Sequence, residues 1–157
     1  MFLMGNFATA GHAQAVVQQV PGHASFTPLE EWKKAVIAGD KAALARLYSV
    51  DPPTTAQVGQ TKVDKLDEEL RFWAGLKASG VTEFHPKPLD IGAIRGMTRV
   101  ILRVDAKKGG DEASVLWMTQ YWVQQAEGWR ILATYRGEFF HDTGRRLPEP
   151  ATPNPNL

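Results

Sequence analysis

The chain has 157 residues, 43% of them hydrophobic, with 18 Lys plus Arg against 17 Asp plus Glu and a formal net charge of +1. That length suits one domain, and the near balance of charge excludes the clustered positive field by which a protein holds nucleic acid or an anionic membrane surface. No apolar run approaches the ~20 residues that span a bilayer. The absence of cysteine excludes disulfides, thiolate nucleophiles and cysteine-ligated metal centres.

Residues 1–26 read as a segment outside the fold. Ala8-Thr9-Ala10 and Ala13-Gln14-Ala15 are small-x-small triplets like those cleaved at the end of a secretory signal. The apolar stretch before them is short and carries no Lys or Arg. The segment is therefore either the end of such a signal, which implies export, or an Ala/Gln-rich floppy terminus. The domain is expected over residues 27–142. Residues 143–157 read as a flexible tail, since Leu147–Leu157 holds four prolines, each lacking a backbone donor.

Thr27-Pro28-Leu29-Glu30 is a helix start, with Thr as cap, Pro in the first turn and acids at the positive end of the dipole. Leu29, Trp32 and Val36 form a stripe. Gly39-Asp40 marks a bend, after which Ala43, Leu44, Leu47 and Tyr48 renew the apolar face until Asp51-Pro52-Pro53. A second amphipathic helix is expected from about Lys62 to Ser79, on the spacing of Val63, Leu66, Leu70, Trp73 and Leu76, with Gly80 as its stop. From Val81 the period changes to two. A strand over Val81–Ile91 contains Pro86 and Pro88, which confine it to a sheet edge. A second strand is carried by Val100, Leu102 and Val104, a third runs from Glu112 to Gln125 and a fourth from Trp129 to Phe140. Paired glycines at 109 and 110 suit the hairpin between the second and third. Helices followed by an antiparallel meander make an α+β fold.

Within that order stand Trp32, the run Ala38-Gly39-Asp40-Lys41-Ala42-Ala43-Leu44, Leu47-Tyr48, Asp51, Phe72-Trp73 and Glu127-Gly128-Trp129-Arg130-Ile131-Leu132. Together, over Thr27 to Phe140, they resemble the NTF2-like superfamily and, within it, the SnoaL-like and DUF4440-like branches. The resemblance implies a curved sheet of about four to six strands wrapped round N-terminal helices into a cone whose open end is a pocket. It also implies dimerisation through the sheet's outer face in many members. Those members include ketosteroid isomerases, dehydratases, polyketide cyclases and binding proteins, so the fold alone leaves the activity open.

Two-residue turns at Gly109-Gly110 and Glu127-Gly128 would set Leu102 opposite Trp117 and Thr134 opposite Tyr121, and directly opposed residues share a face. The cavity face would then carry Val100, Leu102, Val104, Val115, Trp117, Thr119, Tyr121, Val123, Leu132, Thr134, Arg136 and Glu138. The outer face would carry Ile101, Met118, Gln120, Trp122, Ile131 and Tyr135, too apolar for open water, which points to a homodimer there. The ligand-contacting set is Trp73, Trp117, Thr119, Tyr121, Thr134, Arg136 and Glu138. A change of one residue in the last turn would exchange the faces of the final strand and bring Tyr135 inside.

Glu138, Asp90 and His85 are the candidate catalytic groups. Arg136 would hold an anionic oxygen while Glu138 moves a proton, although two such residues at a rim also make an ordinary ion pair. His85 has the right titration range for a base, and equally suits an exposed edge strand. Asp90 is the one carboxylate of the central part of the first strand. Tyr121 would donate to a ligand carbonyl, or be a core tyrosine. No His-x-x-x-His, Glu-x-x-His or carboxylate cluster is present, so neither a metal nor another cofactor is expected. Three functions remain: a cone binding a small apolar molecule, a lyase or isomerase working through a pocket carboxylate, and a dimeric interaction module whose cone is filled by side chains.

Overall fold

The computed structural model describes residues 25–110 and 113–141. The signal-sequence reading, the Pro-rich tail, His12 and His23 lie outside the described residues.

Helix α1 spans Thr27–Ala38. Pro28 sits in its first turn, where no backbone donor is needed, and its cap is Phe26, without a side-chain bond, rather than Thr27. Gly39 closes the helix in the left-handed region at φ +68, and a Cβ there would stand 3.1 Å from the Ala74 carbonyl oxygen. Asp40 then caps α2 (Lys41–Leu47), its Oδ1 accepting from the Ala43 N–H at 2.8 Å. The bend at Gly39-Asp40 is thus a helix end and a helix start joined directly.

Strands β1 (Thr55–Val58) and β2 (Thr61–Val63) form a short hairpin through Gly59, at φ +56, where the helical spacing of Val63 and Leu66 suggested that the next helix had begun. That helix, α3, occupies Leu66–Gly75, shorter at both ends than expected. The β-branched Thr61 and Val63 favour extension, and β1 is held by parallel pairing to a distant strand, which local periodicity does not register. The remaining strands are β3 (Val81–Ile94), β4 (Met97–Lys108), β5 (Ser114–Gln125), β6 (Gly128–Arg136) and β7 (Phe140–His141). The sheet order is β2-β1-β6-β5-β4-β3, with β7 paired to the start of β5. β3 lies at the edge, as its prolines require.

The register corrects the expected faces. Leu102 pairs with Met118, Val100 with Gln120 and Val104 with Leu116, each one residue from the alignment that a two-residue turn would impose. An odd number of residues therefore separates the paired positions Ala106 and Ser114, and every β5 side chain exchanges faces. In the β5–β6 hairpin Gln125 pairs with Gly128, but Leu132 is skipped between the pairs Trp122–Ile131 and Tyr121–Ala133. This bulge puts Ile131, Thr134 and Arg136 on one side. Met118, Gln120, Trp122 and Ile131, assigned above to the outer face, are fully buried, whereas Ile101 and Tyr135 stay on the outside. Trp117, Thr119 and Tyr121, assigned to the cavity, share that outer face; Tyr121 and Tyr135 meet edge to face at 6.0 Å between centroids.

The core lies between the helices and the inner face. Leu29, Trp32, Val36, Leu44, Leu70 and Trp73 pack on Val100, Leu102, Val104, Leu116, Met118 and Trp122. Fully burying one such side chain stabilises by about 1.5–3 kcal/mol relative to exposure.

Candidate functional site

Among the buried polar residues, two carry opposite charges. Glu69, in the first half of α3, is 1% exposed, and Arg136, the last residue of β6, is 7% exposed. The Arg136 Nε donates to Glu69 Oε2 at 3.1 Å and to Oε1 at 3.3 Å, and the Trp73 Nε1 donates to Oε1 at 2.6 Å. Trp73 is one helical turn beyond Glu69, so α3 positions both. The guanidinium carbon of Arg136 also lies 3.5 Å from the centroid of the Phe72 ring, a stacked cation–π contact. A carboxylate and a guanidinium buried this deeply are tolerable because each neutralises the other and both carboxylate oxygens accept hydrogen bonds.

Around this pair stand further polar groups. The Trp32 Nε1 donates to the Tyr48 hydroxyl at 3.4 Å, and burial together with the charge of Glu69 raises the Tyr48 phenol far above its ordinary range. Trp122 Nε1 donates to Gln120 Oε1 at 3.1 Å. Gln120 and Thr134 are paired directly across β5 and β6, and both are 0% exposed. The Gln120 Nε2 and the Thr134 Oγ1 are buried with no protein partner.

The residues singled out from sequence divide. Trp73, Thr134 and Arg136 meet in this cluster. Trp117, Thr119 and Tyr121 lie on the other side of the sheet. Glu138 is exposed beyond the end of β6, and the acid partner of Arg136 is Glu69 instead. Asp90 is exposed and paired with Arg99 at 2.7 Å; His85 is exposed, 3.7 Å from Glu83. Glu69 was hidden among Asp67 and Glu68, which read together as helix-dipole acids. Its spacing was the available signal: three residues after Leu66 and four before Trp73 put it on the apolar stripe. Among the described residues no group of three or more His, Asp or Glu is gathered as a metal site would need, and no helix is long and apolar enough to cross a membrane.

On the outer face, Ile101, Thr119, Tyr121 and Tyr135 form an apolar and aromatic surface in which the Trp117 Nε1 and Arg99 Nε are buried without a protein partner. Burial and the neighbouring Tyr121 raise the Tyr135 phenol above its usual value.

No protein-family model matches the chain, and no curated protein sequence matches it. Solved structures do. An NTF2-like protein of unknown function from Shewanella oneidensis superimposes with a TM-score of 0.58 at 17% identity, covering 71% of this chain and 94% of its own. A provisionally named dehydratase of the NTF2-like family from Streptomyces avermitilis gives 0.56 at 15% identity, covering 73% and 92%. A provisionally named ketosteroid isomerase from Parabacteroides distasonis gives 0.54 at 16% identity, covering 69% and 83%. Identities this low speak for architecture and not for chemistry. With three helices laid against one face of an open, mostly antiparallel sheet, the chain has the NTF2-like fold.

Proposed function

We propose that the protein binds a small, largely apolar molecule between helices and sheet, as a binding domain and not as an acid–base catalyst. The observation that carries this reading is the pair of sealed, unpartnered groups, Gln120 Nε2 and Thr134 Oγ1, on residues paired across β5 and β6, with Thr134 two residues before Arg136. A buried donor without a partner costs about 1–3 kcal/mol. Two such groups with a guanidinium nearby suit one acceptor oxygen, a carbonyl or carboxylate on an otherwise apolar body. Trp32, Trp73 and Trp122 supply the apolar walls. The lyase or isomerase alternative needs a carboxylate free to accept a proton. Both oxygens of Glu69 already accept from Arg136, while Glu138, Asp90 and His85 face solvent.

One observation favours the filled cone: Trp32, Trp73 and Trp122 are each 0% exposed. In that reading the two groups hold ordered water instead of a ligand. Titration of the protein with cyclic ketones and aromatic acids, read by tryptophan fluorescence, separates the two. Binding should weaken roughly tenfold in Gln120→Leu, the loss of one good hydrogen bond. Absence of any binder across both series, with two waters on Gln120 and Thr134 in a high-resolution crystal structure, would favour the filled cone. Dimerisation belongs to the other side of the sheet in this proposal, through Ile101, Thr119, Tyr121 and Tyr135.

A further inference from the structure

After Arg136 the chain leaves β5. Gly137 still donates its N–H to the Trp117 carbonyl at 2.9 Å, residues 137–139 have no regular structure, and pairing resumes only at Phe140 and His141. In this excursion Glu138 points to solvent while Phe139 turns in and stacks on Phe72, with centroids 6.3 Å apart and planes 26° from parallel. Phe72 is the ring over which the Arg136 guanidinium lies. Phe139 also lines a cavity of about 190 Å³ with Leu76, Val81, Ala106, Lys107 and Lys108. The cavity is therefore walled on one side by the ring that stacks on the buried cluster's own cover.

We infer that Phe139 is a displaceable plug, standing where the ring of an aromatic acid would stack on Phe72, with the acid group drawn to Lys108. This goes beyond the small-molecule reading above, because the cavity lies at the far end of β4 from Val100, the partner of Gln120. Three features support an exchange. The residue is carried by a strap held to β5 by one bond at Gly137 and a two-residue strand. Its contact with Phe72 is ring against ring, which any flat ring reproduces. Lys108, on the same side of β4 as Ala106, borders the cavity and gives it positive charge over an apolar floor, whereas Lys107 faces outward, 3.8 Å from Glu83. Exchange of one ring for another leaves the Arg136–Glu69 pair in place, so the ligand need not disrupt the buried charges.

The test uses the full chain, acrylamide quenching of tryptophan fluorescence and titration with naphthoate, in wild type, Phe139→Ala and Phe139→Leu, each checked for native circular dichroism. Removing the plug should increase quenching, because Trp73 stands directly behind Phe72, and should tighten naphthoate binding roughly tenfold. Lys108→Glu should weaken it by a similar factor. Phe139→Leu, which keeps an apolar side chain without a ring, should fall between, and serves if the alanine variant does not fold. Unchanged quenching would overturn the plug whatever the wild type binds. Quenching that rises while neither protein binds naphthoate would overturn the ligand half, and leaves binding at Gln120 and Thr134 to its own titration.

Discussion

Replacing Arg136 by Met removes a charge and keeps an apolar stem of similar length. Glu69, 1% exposed, then loses both Arg136 bonds and retains only the Trp73 donor at 2.6 Å. Stranding one member of a buried pair costs about 3–5 kcal/mol, most of it the penalty of an uncompensated charge. That is a large share of the 5–15 kcal/mol that stabilises an ordinary domain. With a urea slope of ~2 kcal/mol/M, a cost of ~4 kcal/mol lowers the unfolding midpoint by ~2 M. The cost should be reversible from the other side. Adding Glu69→Gln to Arg136→Met removes the stranded charge, so the double variant should recover at least ~2 kcal/mol relative to Arg136→Met alone. Urea unfolding of the four members of this cycle measures the coupling directly. A loss below ~1 kcal/mol in Arg136→Met, or a double variant no better than it, would refute the account of Glu69 and Arg136 as a mutually dependent buried pair.

Tyr121→Glu sets a carboxylate in the middle of the proposed dimer surface and should yield a monomer in sedimentation velocity at concentrations where the wild type is dimeric; a wild type already monomeric, or a variant of unchanged mass, would remove the dimer. Asp105 gives a pH signature. Burial works against its ionised form, but hydrogen bonds from Lys87 at 2.5 Å and Arg103 at 2.7 Å outweigh it and hold the carboxyl below its usual value. A lowered carboxyl contributes stability above the unfolded value of about 3.9 and loses it as the pH falls through the folded value. The advantage of wild type over Asp105→Asn, about 0.5 kcal/mol for a solvent-screened pair, should be present at neutral pH and vanish on acidification below ~3.9. A difference constant with pH would contradict it.

Much of the framework was written in local signals. Pro28, Gly39, Asp40 and the edge prolines Pro86 and Pro88 act on the backbone within a few residues, and the structure uses each as an end, a start or an edge. The β1–β2 hairpin was not legible, because its pairing partner is β6, far along the chain. The inner side of β5 was misjudged for another reason. Trp117 and Trp122, Thr119 and Gln120 put a comparable mixture on both sides of the strand, so hydropathy does not choose between the two registers. Alternation along β6 puts Arg136 and Thr134 on the inner side, whereas Glu69 resembles its neighbours Asp67 and Glu68, ordinary acids of a helix's first turn. Polar residues that satisfy each other in a core look, one at a time, like surface residues.

The skipped residue at Leu132 has an evolutionary corollary. Upstream of it β6 offers Ile131 to the interior, and downstream Thr134 and Arg136. Only because the ladder steps past it do Thr134 and the arginine stay inward: drawn into regular pairing, Leu132 would shift every later residue by one and turn Tyr135 toward the helices. Its removal, by contrast, would leave a regular ladder with both halves facing as they do now. Loss of one residue at this point is therefore the length change the strand should tolerate, whereas a residue added between Thr134 and Arg136 would set the two on opposite faces.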